Sequence, residues 1–196
     1  MNVTMIDTPF ANTANIARAL CAAGATLELS RDPEVIASAT KLVLPGVGSF
    51  TAAMAWLSGT RIDAAIRDAV HHDAFLLGIC LGHQLLFDVG VEYGITHGLG
   101  IVRGAVERFA GALPVPQIGW NRVTARGPLF EGVESEAFYF VHSYAARDVR
   151  DEIATAEYNG PFTAAIECGR VFGVQFHPEK SSAAGLRVLR NFVQCN

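Results

Sequence analysis

The sequence lacks the marks of several protein classes. No apolar run approaches the roughly 20 residues of a membrane-spanning helix. Charged residues make up only 17% of the 196 residues, the net charge is −4, and no basic stripe is present for a nucleic-acid backbone. The opening stretch MNVTMIDTPF has neither the basic region nor the long apolar region of a signal peptide. We therefore expect no nucleic-acid partner, no membrane partner and a cytoplasmic location.

Cysteine is also scarce, and no cofactor motif is present. Cys21, Cys80, Cys168 and Cys195 form no CxxC pair and have no Cys/His spacing of a zinc site. Neither Walker spacing nor GxGxxG occurs, which argues against a phosphate-cradling loop. The sequence predicts free thiols, no metal and no cofactor.

The first 80 residues alternate between short apolar runs and helical patterns. The alternation predicts βαβ units around a parallel sheet, with strands at 3–6, 26–29, 41–45 and 74–80. Helices are predicted between these strands, at 15–24, 32–39 and 60–70. Gly24 is expected to end the first helix, Asp32 with Pro33 to open the second, and Thr60 with Asp63 to form a capping box on the third.

After residue 100 the rhythm changes to strand-like segments separated by Gly, Pro and Asn, as in hairpins or a meander. A final helix is predicted at 182–194. No repeat or linker interrupts the chain, so we expect a single domain over residues 1–196.

The stretch GICLGHQLLF, residues 78–87, places Cys80 where an apolar strand ends and a helical pattern begins. A cysteine becomes a nucleophile as a thiolate, which a helix N-terminus or a nearby base favours. Gly78 and Gly82 remove side chains that would crowd a sharp elbow, and the amide of Leu81 would point toward an oxyanion. The alternative is an inert buried cysteine, a common environment for this residue.

A second signal is GVQFHPEKS, residues 173–181. In an extended segment Gln175, His177 and Glu179 share one face, so that Glu179 can orient the imidazole of His177 for work on the thiol. Pro178 helps to hold His177 in the extended region. The pair can also be an ordinary strand end. Together with Cys80 it forms a candidate Cys, His, Glu triad.

Other residues offer competing roles. In LPGVGSF, residues 44–50, the amide of Val47 or Gly48 can donate to an oxyanion, although a plain βα turn explains the glycines equally well. His83 is a second candidate for the base. His142 either lines the site from a neighbouring strand or sits in the core.

These motifs, with IGWN, YFVHSYA and FTAAIE, resemble the class I, triad-type glutamine amidotransferases from about residue 42 to 192. Within that family the chain is similar to the glutaminase subunits of imidazole glycerol phosphate synthase in histidine biosynthesis. The resemblance implies a Rossmann-like, three-layer α/β fold with a mixed, mainly parallel central sheet. It also implies an enzyme that hydrolyses L-glutamine to L-glutamate and ammonia.

The resemblance assigns roles residue by residue. Cys80 is the nucleophile, His177 the base and acid, and Glu179 the residue that orients it. Val47 and Leu81 match the oxyanion amides, with the Val47 amide turning inward only when the partner is engaged. The positions that match glutamine-binding residues are Gly48, Gln84, Glu92 and Ser143.

The resemblance also implies a partner. One glutaminase domain uses the whole length, so the ammonia acceptor is expected on a second chain, a (β/α)8-barrel cyclase that forms a heterodimer with this one. The residues matched to that interface are Asn15, Trp120, Asn121 and Lys180.

Two departures from the family pattern keep other interpretations open. DTPFANTANI, residues 7–16, replaces a glycine-rich turn of the family and retains only Asn15. His83 stands where this subfamily commonly has Met, and CLGHQ also occurs in glutaminases of anthranilate and guanylate synthesis. The alternatives are therefore another amidotransferase subunit, a cysteine peptidase or γ-glutamyl hydrolase on the same fold, and a catalytically silent regulatory subunit.

Overall fold

A computed structural model describes all residues from 1 to 196. The strands are β1 Asn2–Ile6, β2 Thr26–Ser30, β3 Lys41–Gly46, β4 Phe75–Cys80, β5 Phe87–Gly90, β6 Thr96–His97, β7 Val102–Arg108, β8 Gln117–Ala125, β9 Ala137–His142, β10 Tyr144–Ala146, β11 Glu152–Glu157, β12 Pro161–Cys168 and β13 Val171–Val174. The helices are α1 Thr13–Ala22, α2 Pro33–Ser38, α3 Phe50–Gly59, α4 Ile62–His71, α5 Leu81–Leu85 and α6 Ser182–Gln194. Short 3-10 turns lie at Pro128–Phe130 and Pro178–Lys180.

The central sheet has 9 strands in the order β2-β1-β3-β4-β13-β12-β11-β8-β9. Strands β2 through β13 of this order pair in parallel, and the pairs from β13 to β9 are antiparallel. The expectation of an α/β fold around a mixed sheet is confirmed. The parallel pairing brings the carboxyl ends of β3, β4 and β13 to one edge, where crevices that bind ligands form in such sheets.

Two apolar clusters cover the two faces of this sheet. One joins α1 and α6 to the aromatic side chains of the antiparallel half, among them Phe138 and Phe176, whose rings stack at 4.1 Å. The other joins α2, α3 and α4 to the parallel strands. A smaller sheet of 4 strands, β10-β7-β5-β6, lies beside them. No helix is both long and apolar enough to span a bilayer.

The helix boundaries confirm some of the expected caps. Asp32 accepts from the amide of Glu34 at 2.9 Å and Pro33 opens α2. Gly24 follows the end of α1 with a φ of 101°, a conformation that glycine adopts without strain. Helix α1 begins two residues earlier than predicted, because the side chain of Asn12 caps it.

The capping box predicted at Thr60 is wrong. Thr60 instead ends α3, which the sequence analysis did not predict, and its hydroxyl donates to the carbonyl of Trp56 at 2.8 Å. Helix α4 then begins at Ile62, and Asp63 pairs with Arg67 at 3.0 Å. Helix α3 was missed because its own residues are apolar on nearly every side, so that its sequence shows no single apolar stripe at helical spacing.

Candidate active site

Cys80 occupies a sharp turn between β4 and α5. Its φ of 54° and ψ of −108° lie outside the ordinary helical and strand regions for a non-glycine residue. The two glycines beside it are required by space, since a Cβ on Gly82 would lie 1.9 Å from the carbonyl oxygen of Leu44, and one on Gly78 would lie 2.6 Å from that of Gly82. The elbow geometry predicted around Cys80 is therefore present.

His177 and Glu179 lie on the neighbouring strand and the turn that follows it. Strand β13 runs parallel to β4 with Val174 level with Ile79, so the chain reaches the site just beyond this pair. The extended geometry ends at His177, because Pro178 starts a 3-10 turn, in contrast to the strand-like alternation predicted through Glu179. The turn nevertheless brings Oε1 of Glu179 to 2.9 Å from Nδ1 of His177.

The electrostatics of this pair favour a charged imidazole. Burial opposes protonation of His177, but the nearby sulfur of Cys80 and the carboxylate of Glu179 outweigh burial and raise the pKa of His177 to about 10. Both side chains of the His177–Glu179 pair are only 4% exposed, so water screens their attraction weakly. With Nδ1 held by Glu179, the other ring nitrogen is the one left for the thiol.

A cavity of about 340 Å³ opens over Cys80. It brings together most of the residues proposed for the site, namely Val47, Gly48, Cys80, Leu81, Gln84, Glu92, Ser143, His177 and Lys180. The volume lies at the small end of the range for ligand pockets, as suits an amino acid.

The residues proposed to bind glutamine surround this cavity from three directions. Gln84 is held from α5, where its amide nitrogen donates to the carbonyl of Tyr144 at 2.8 Å. The carboxylate of Glu92 accepts from the amide of Phe50 at 2.7 Å, at the start of α3. Gly48 and Ser143 complete the wall, Gly48 with a φ of 95°.

The two amides proposed for the oxyanion hole differ in their present partners. Leu81 is the first residue of α5, so its amide has no acceptor within the helix. The amide of Val47 donates to the carbonyl of Phe10, which lies in the atypical segment before α1. In this structure only one of the two proposed donors is therefore free of a backbone partner.

The other two buried histidines, His83 and His142, differ in their position relative to the cavity. His83 is fully buried outside the cavity, its two ring nitrogens have no hydrogen-bond partner, and its ring meets that of Phe87 edge-on at 5.2 Å. Burial, with a smaller effect of charge on His142, lowers the pKa of His83 to about 3. The alternative of His83 as the base is therefore wrong, and the replacement of Met by His at this position alters core packing rather than the cavity wall.

His142 lines the cavity and is also buried. Its Nδ1 lies 2.8 Å from the carbonyl of Tyr144, and its Nε2 lies 3.1 Å from the side chain of Gln117. Burial lowers the pKa of His142 to about 4, against the raising effect of the Tyr144 carbonyl and with a further lowering from His177. His142 is thus a neutral wall residue.

Of the residues matched to the partner interface, only Lys180 lines the cavity. Trp120 is 55% exposed and packs edge-on against Tyr139, and the ammonium of Lys180 lies 5.8 Å from the centre of the same ring. Asn121 donates to the carbonyl of Glu157 at 3.0 Å, and Asn15 lies in the first turn of α1. Nothing in these contacts identifies a partner.

Two residues at the site were missed as site residues. Gln175 was grouped with His177 by its position in the strand, yet its contacts to Cys80 and Gln84 cross more than ninety residues of sequence. The carbonyl of Phe10 had no sequence signal. No group of three or more His, Cys, Asp or Glu side chains is arranged to hold a metal ion.

An elbow cysteine with a carboxylate-held histidine, on a sheet with this strand order, defines a class of glutamine-hydrolysing enzymes. The family model described as "Glutamine amidotransferase class-I" matches residues 4–195. The chain belongs to the class I glutamine amidotransferases, and it is an α/β enzyme of that class.

Curated relatives narrow the comparison further. The chain is 46% identical over 187 residues to "Imidazole glycerol phosphate synthase subunit HisH" of Streptococcus gordonii, covering 92% of this chain and 90% of the relative. A protein of the same name from Geobacillus kaustophilus is 44% identical, with 97% and 95% covered.

Solved structures share the fold at lower identity. "Crystal structure of glutamine amidotransferase" matches with a TM-score of 0.78 at 22% identity, covering 98% of this chain and 97% of that one. A "PurLQS" structure from Thermotoga maritima matches with a TM-score of 0.73 at 18% identity, covering 98% and 97%. These likenesses support the fold alone.

Proposed function

We propose that this protein is the glutaminase subunit of an imidazole glycerol phosphate synthase. It hydrolyses L-glutamine to L-glutamate and passes the ammonia to a cyclase subunit in histidine biosynthesis. The observation that carries the proposal is that the elbow Cys80 lines one small cavity together with His177, whose ring is held by Glu179. The names of the relatives, at 44 to 46% identity over nearly the whole chain, support the particular synthase.

In the first half of the reaction the Cys80 thiolate attacks the side-chain carboxamide carbon of glutamine. The carbonyl oxygen becomes an oxyanion, which the amide of Leu81 is placed to receive. His177, held protonated at neutral pH by a pKa of about 10, gives its proton to the departing nitrogen. Ammonia leaves and a glutamyl thioester remains on Cys80.

In the second half His177 acts as the base. Now neutral, its imidazole takes a proton from water as the water attacks the thioester carbon. The carbon–sulfur bond breaks, glutamate leaves, and the thiolate–imidazolium pair is restored. Glu179 keeps the ring in one tautomer and orientation through both halves.

The second oxyanion donor offers a point of control. The amide of Val47 is bonded to the carbonyl of Phe10 and must turn to reach an oxyanion. One such donor is worth roughly 100-fold to 1000-fold in rate. Engagement of a partner beside Lys180, which lines the cavity, would supply the rearrangement.

We further propose that residues 1–196 form one amidotransferase domain in the cytoplasm, and that the partner is a (β/α)8-barrel cyclase. The two apolar clusters share one sheet, which supports a single domain. The four cysteines are free thiols, which suits a reducing compartment.

The test uses the chain alone and with the cyclase subunit. The complex is expected to make imidazole glycerol phosphate from glutamine or from ammonium salts, and the chain alone to hydrolyse glutamine roughly 100-fold more slowly. Cys80→Ala should lose the glutamine-dependent reaction and keep the ammonium-dependent one. Glutamine-dependent synthesis in the Cys80→Ala complex would contradict the proposal.

The same assay separates the alternatives. Stimulation by an anthranilate synthase partner instead of the cyclase would move the chain to another amidotransferase. An unstimulated chain that cleaves peptides or γ-glutamyl chains would indicate a hydrolase. A complex that uses only ammonium salts would indicate a silent subunit.

A further inference from the structure

Gln175 is a buried polar residue beside the nucleophile that the proposed mechanism does not yet use. Gln175 follows β13 directly and is 0% exposed. Its backbone amide donates to the carbonyl of Ala164 at 2.9 Å. Because Val174 is level with Ile79 in the parallel pair, Gln175 lies level with Cys80. The side chain of Gln175 is therefore held beside Cys80, behind the residues that line the cavity.

Two contacts occupy the carboxamide of Gln175. Its oxygen accepts from Nε2 of Gln84 at 2.9 Å, and its nitrogen donates to Sγ of Cys80 at 3.9 Å. The nitrogen–sulfur distance is long but falls within the range for a sulfur acceptor, which is larger and softer than oxygen. Gln175 thus joins a residue proposed to bind glutamine to the nucleophile.

The orientation of both carboxamides follows from one group that can only accept. The carbonyl of Tyr144 lies 2.8 Å from the Gln84 side chain, so Gln84 must present its nitrogen there. The same nitrogen faces Gln175, which must then present its oxygen. The nitrogen of Gln175 is left facing Cys80, so the sulfur receives a donor and not an acceptor.

We propose that Gln175 stabilises the thiolate form of Cys80 by donating a hydrogen bond to its sulfur. The proposal rests on the proposed role of Cys80 as the nucleophile. Gln175 would stabilise the thiolate in addition to the imidazolium of His177. A hydrogen bond to a charged acceptor is about twice as strong as one to a neutral acceptor, so the donor favours the thiolate over the thiol. When the thioester breaks, the amide nitrogen of Gln175 would again donate to the thiolate that leaves.

The chain offers variants that separate this role from the others. Gln175→Met is neutral, of similar length and unable to donate. Gln84→Met keeps the Gln175 side chain but removes the bond that orients its carboxamide. Thr163→Val is a control for a change of a fully buried polar residue on the adjacent strand β12, where the Thr163 hydroxyl donates to Glu152 and not to the site.

The readout is the pH dependence of alkylation of Cys80 by iodoacetamide in the full chain, followed by the mass of the peptide that carries Cys80. The other titratable groups around the cavity remain unchanged in Gln175→Met: His177 and Glu179 after β13, His142 at the end of β9, Tyr144 at the start of β10, Lys180 in the 3-10 turn, Glu92 after β5, and His83 on α5. A shift of the curve therefore reports the lost donor.

In Gln175→Met the alkylation curve should move to higher pH by about one to two units. In Thr163→Val it should stay near the wild-type curve. In Gln84→Met, where the Gln175 carboxamide loses the bond that orients it, the curve should move in the same direction as in Gln175→Met but by a smaller amount. If Gln175→Met fails to fold, Gln175→Leu serves in its place, because its side chain is also neutral and cannot donate a hydrogen bond.

An alkylation curve in either Gln175 variant that matches the wild type would overturn the proposal, and would leave Gln175 as a packing residue. The alkylation readout needs no glutamine and no partner. The two proposals can fail separately. If the wild-type chain does not hydrolyse glutamine while Gln175→Met still shifts the alkylation curve, the proposed function is overturned and this inference stands.

Discussion

Two buried histidines, His83 and His177, both follow the nucleophile in sequence and have opposite electrostatics. His177 has a carboxylate at 2.9 Å and a thiol beside it, and its pKa is raised to about 10. The ring of His83 packs against Phe87 and has no hydrogen-bond partner, and burial lowers its pKa to about 3. Burial acts against charge at both positions, so the difference lies in the partners.

This comparison shows why one histidine can serve as acid and base and the other cannot. A proton donor at neutral pH must hold a proton, which in a dry site requires negative partners. His83 lies three residues from Cys80 in sequence but is packed over the backbone of β13, where a Cβ on Gly173 would lie 2.4 Å from its ring. Closeness in sequence is therefore a poor guide to the proton path.

The largest expected effect comes from replacing each histidine in turn. His177→Gln should lower kcat for glutamine in the complex by about 1000-fold, because both proton transfers lose their group. His83→Met should leave kcat near the wild-type value, since His83 does not reach the cavity. Steady-state glutamate formation measures both, and an equal loss in the two variants would remove the distinction between them.

A smaller effect is expected when His177 is made more like His83. Glu179→Gln removes the negative partner and should lower kcat by roughly 100-fold, with a fall in the pKa of His177 from about 10 toward its ordinary value. Titration of the imidazole by NMR measures the pKa directly. A His177 pKa that does not change on this substitution would show that Glu179 does not support the charge.

The smallest expected effect concerns stability at mildly acidic pH. The folded state keeps His83 neutral down to about pH 3, while the unfolded chain takes up the proton near pH 6.5. The unfolded state therefore binds more protons between these values, and stability falls as pH falls through that window. By pH 5 the loss from His83 is about 2 kcal/mol.

His83→Met should remove this part of the acid sensitivity. Urea unfolding at pH 7.5 and pH 5 measures it, with His97→Gln, a change at an exposed histidine, as the control. If His83→Met loses as much stability as the wild type between the two pH values, His83 does not stay neutral in the fold.

The sequence predicted the parts of the molecule that local chemistry determines. The alternation of the first 80 residues, the Asp32 cap and the elbow at Cys80 all follow from short-range rules about turns, caps and glycine. The aromatic and β-branched segments of the second half likewise indicated its strands. The proposed triad residues stand in two short motifs, GICLGHQLLF and GVQFHPEKS, and these motifs made them candidates.

The rest depends on contacts that local sequence does not contain. The bond between Gln84 and Gln175 forms only once β4 and β13 lie side by side, and the bond from Val47 to Phe10 only once β1 and β3 do. The neutrality of His83 depends on which residues enclose it. Helix α3 is apolar all round, so its sequence carries no helical stripe.

The most direct test of the account is to trap the thioester on Cys80. The complex is mixed with glutamine, quenched in acid within one turnover and digested, and the peptide that contains Cys80 is weighed. If Cys80 is the nucleophile, a glutamyl group is expected on that peptide. It should form together with ammonia and be absent in Cys80→Ala. Ammonia release with an unmodified Cys80 peptide, or with the glutamyl group on another residue, would contradict it.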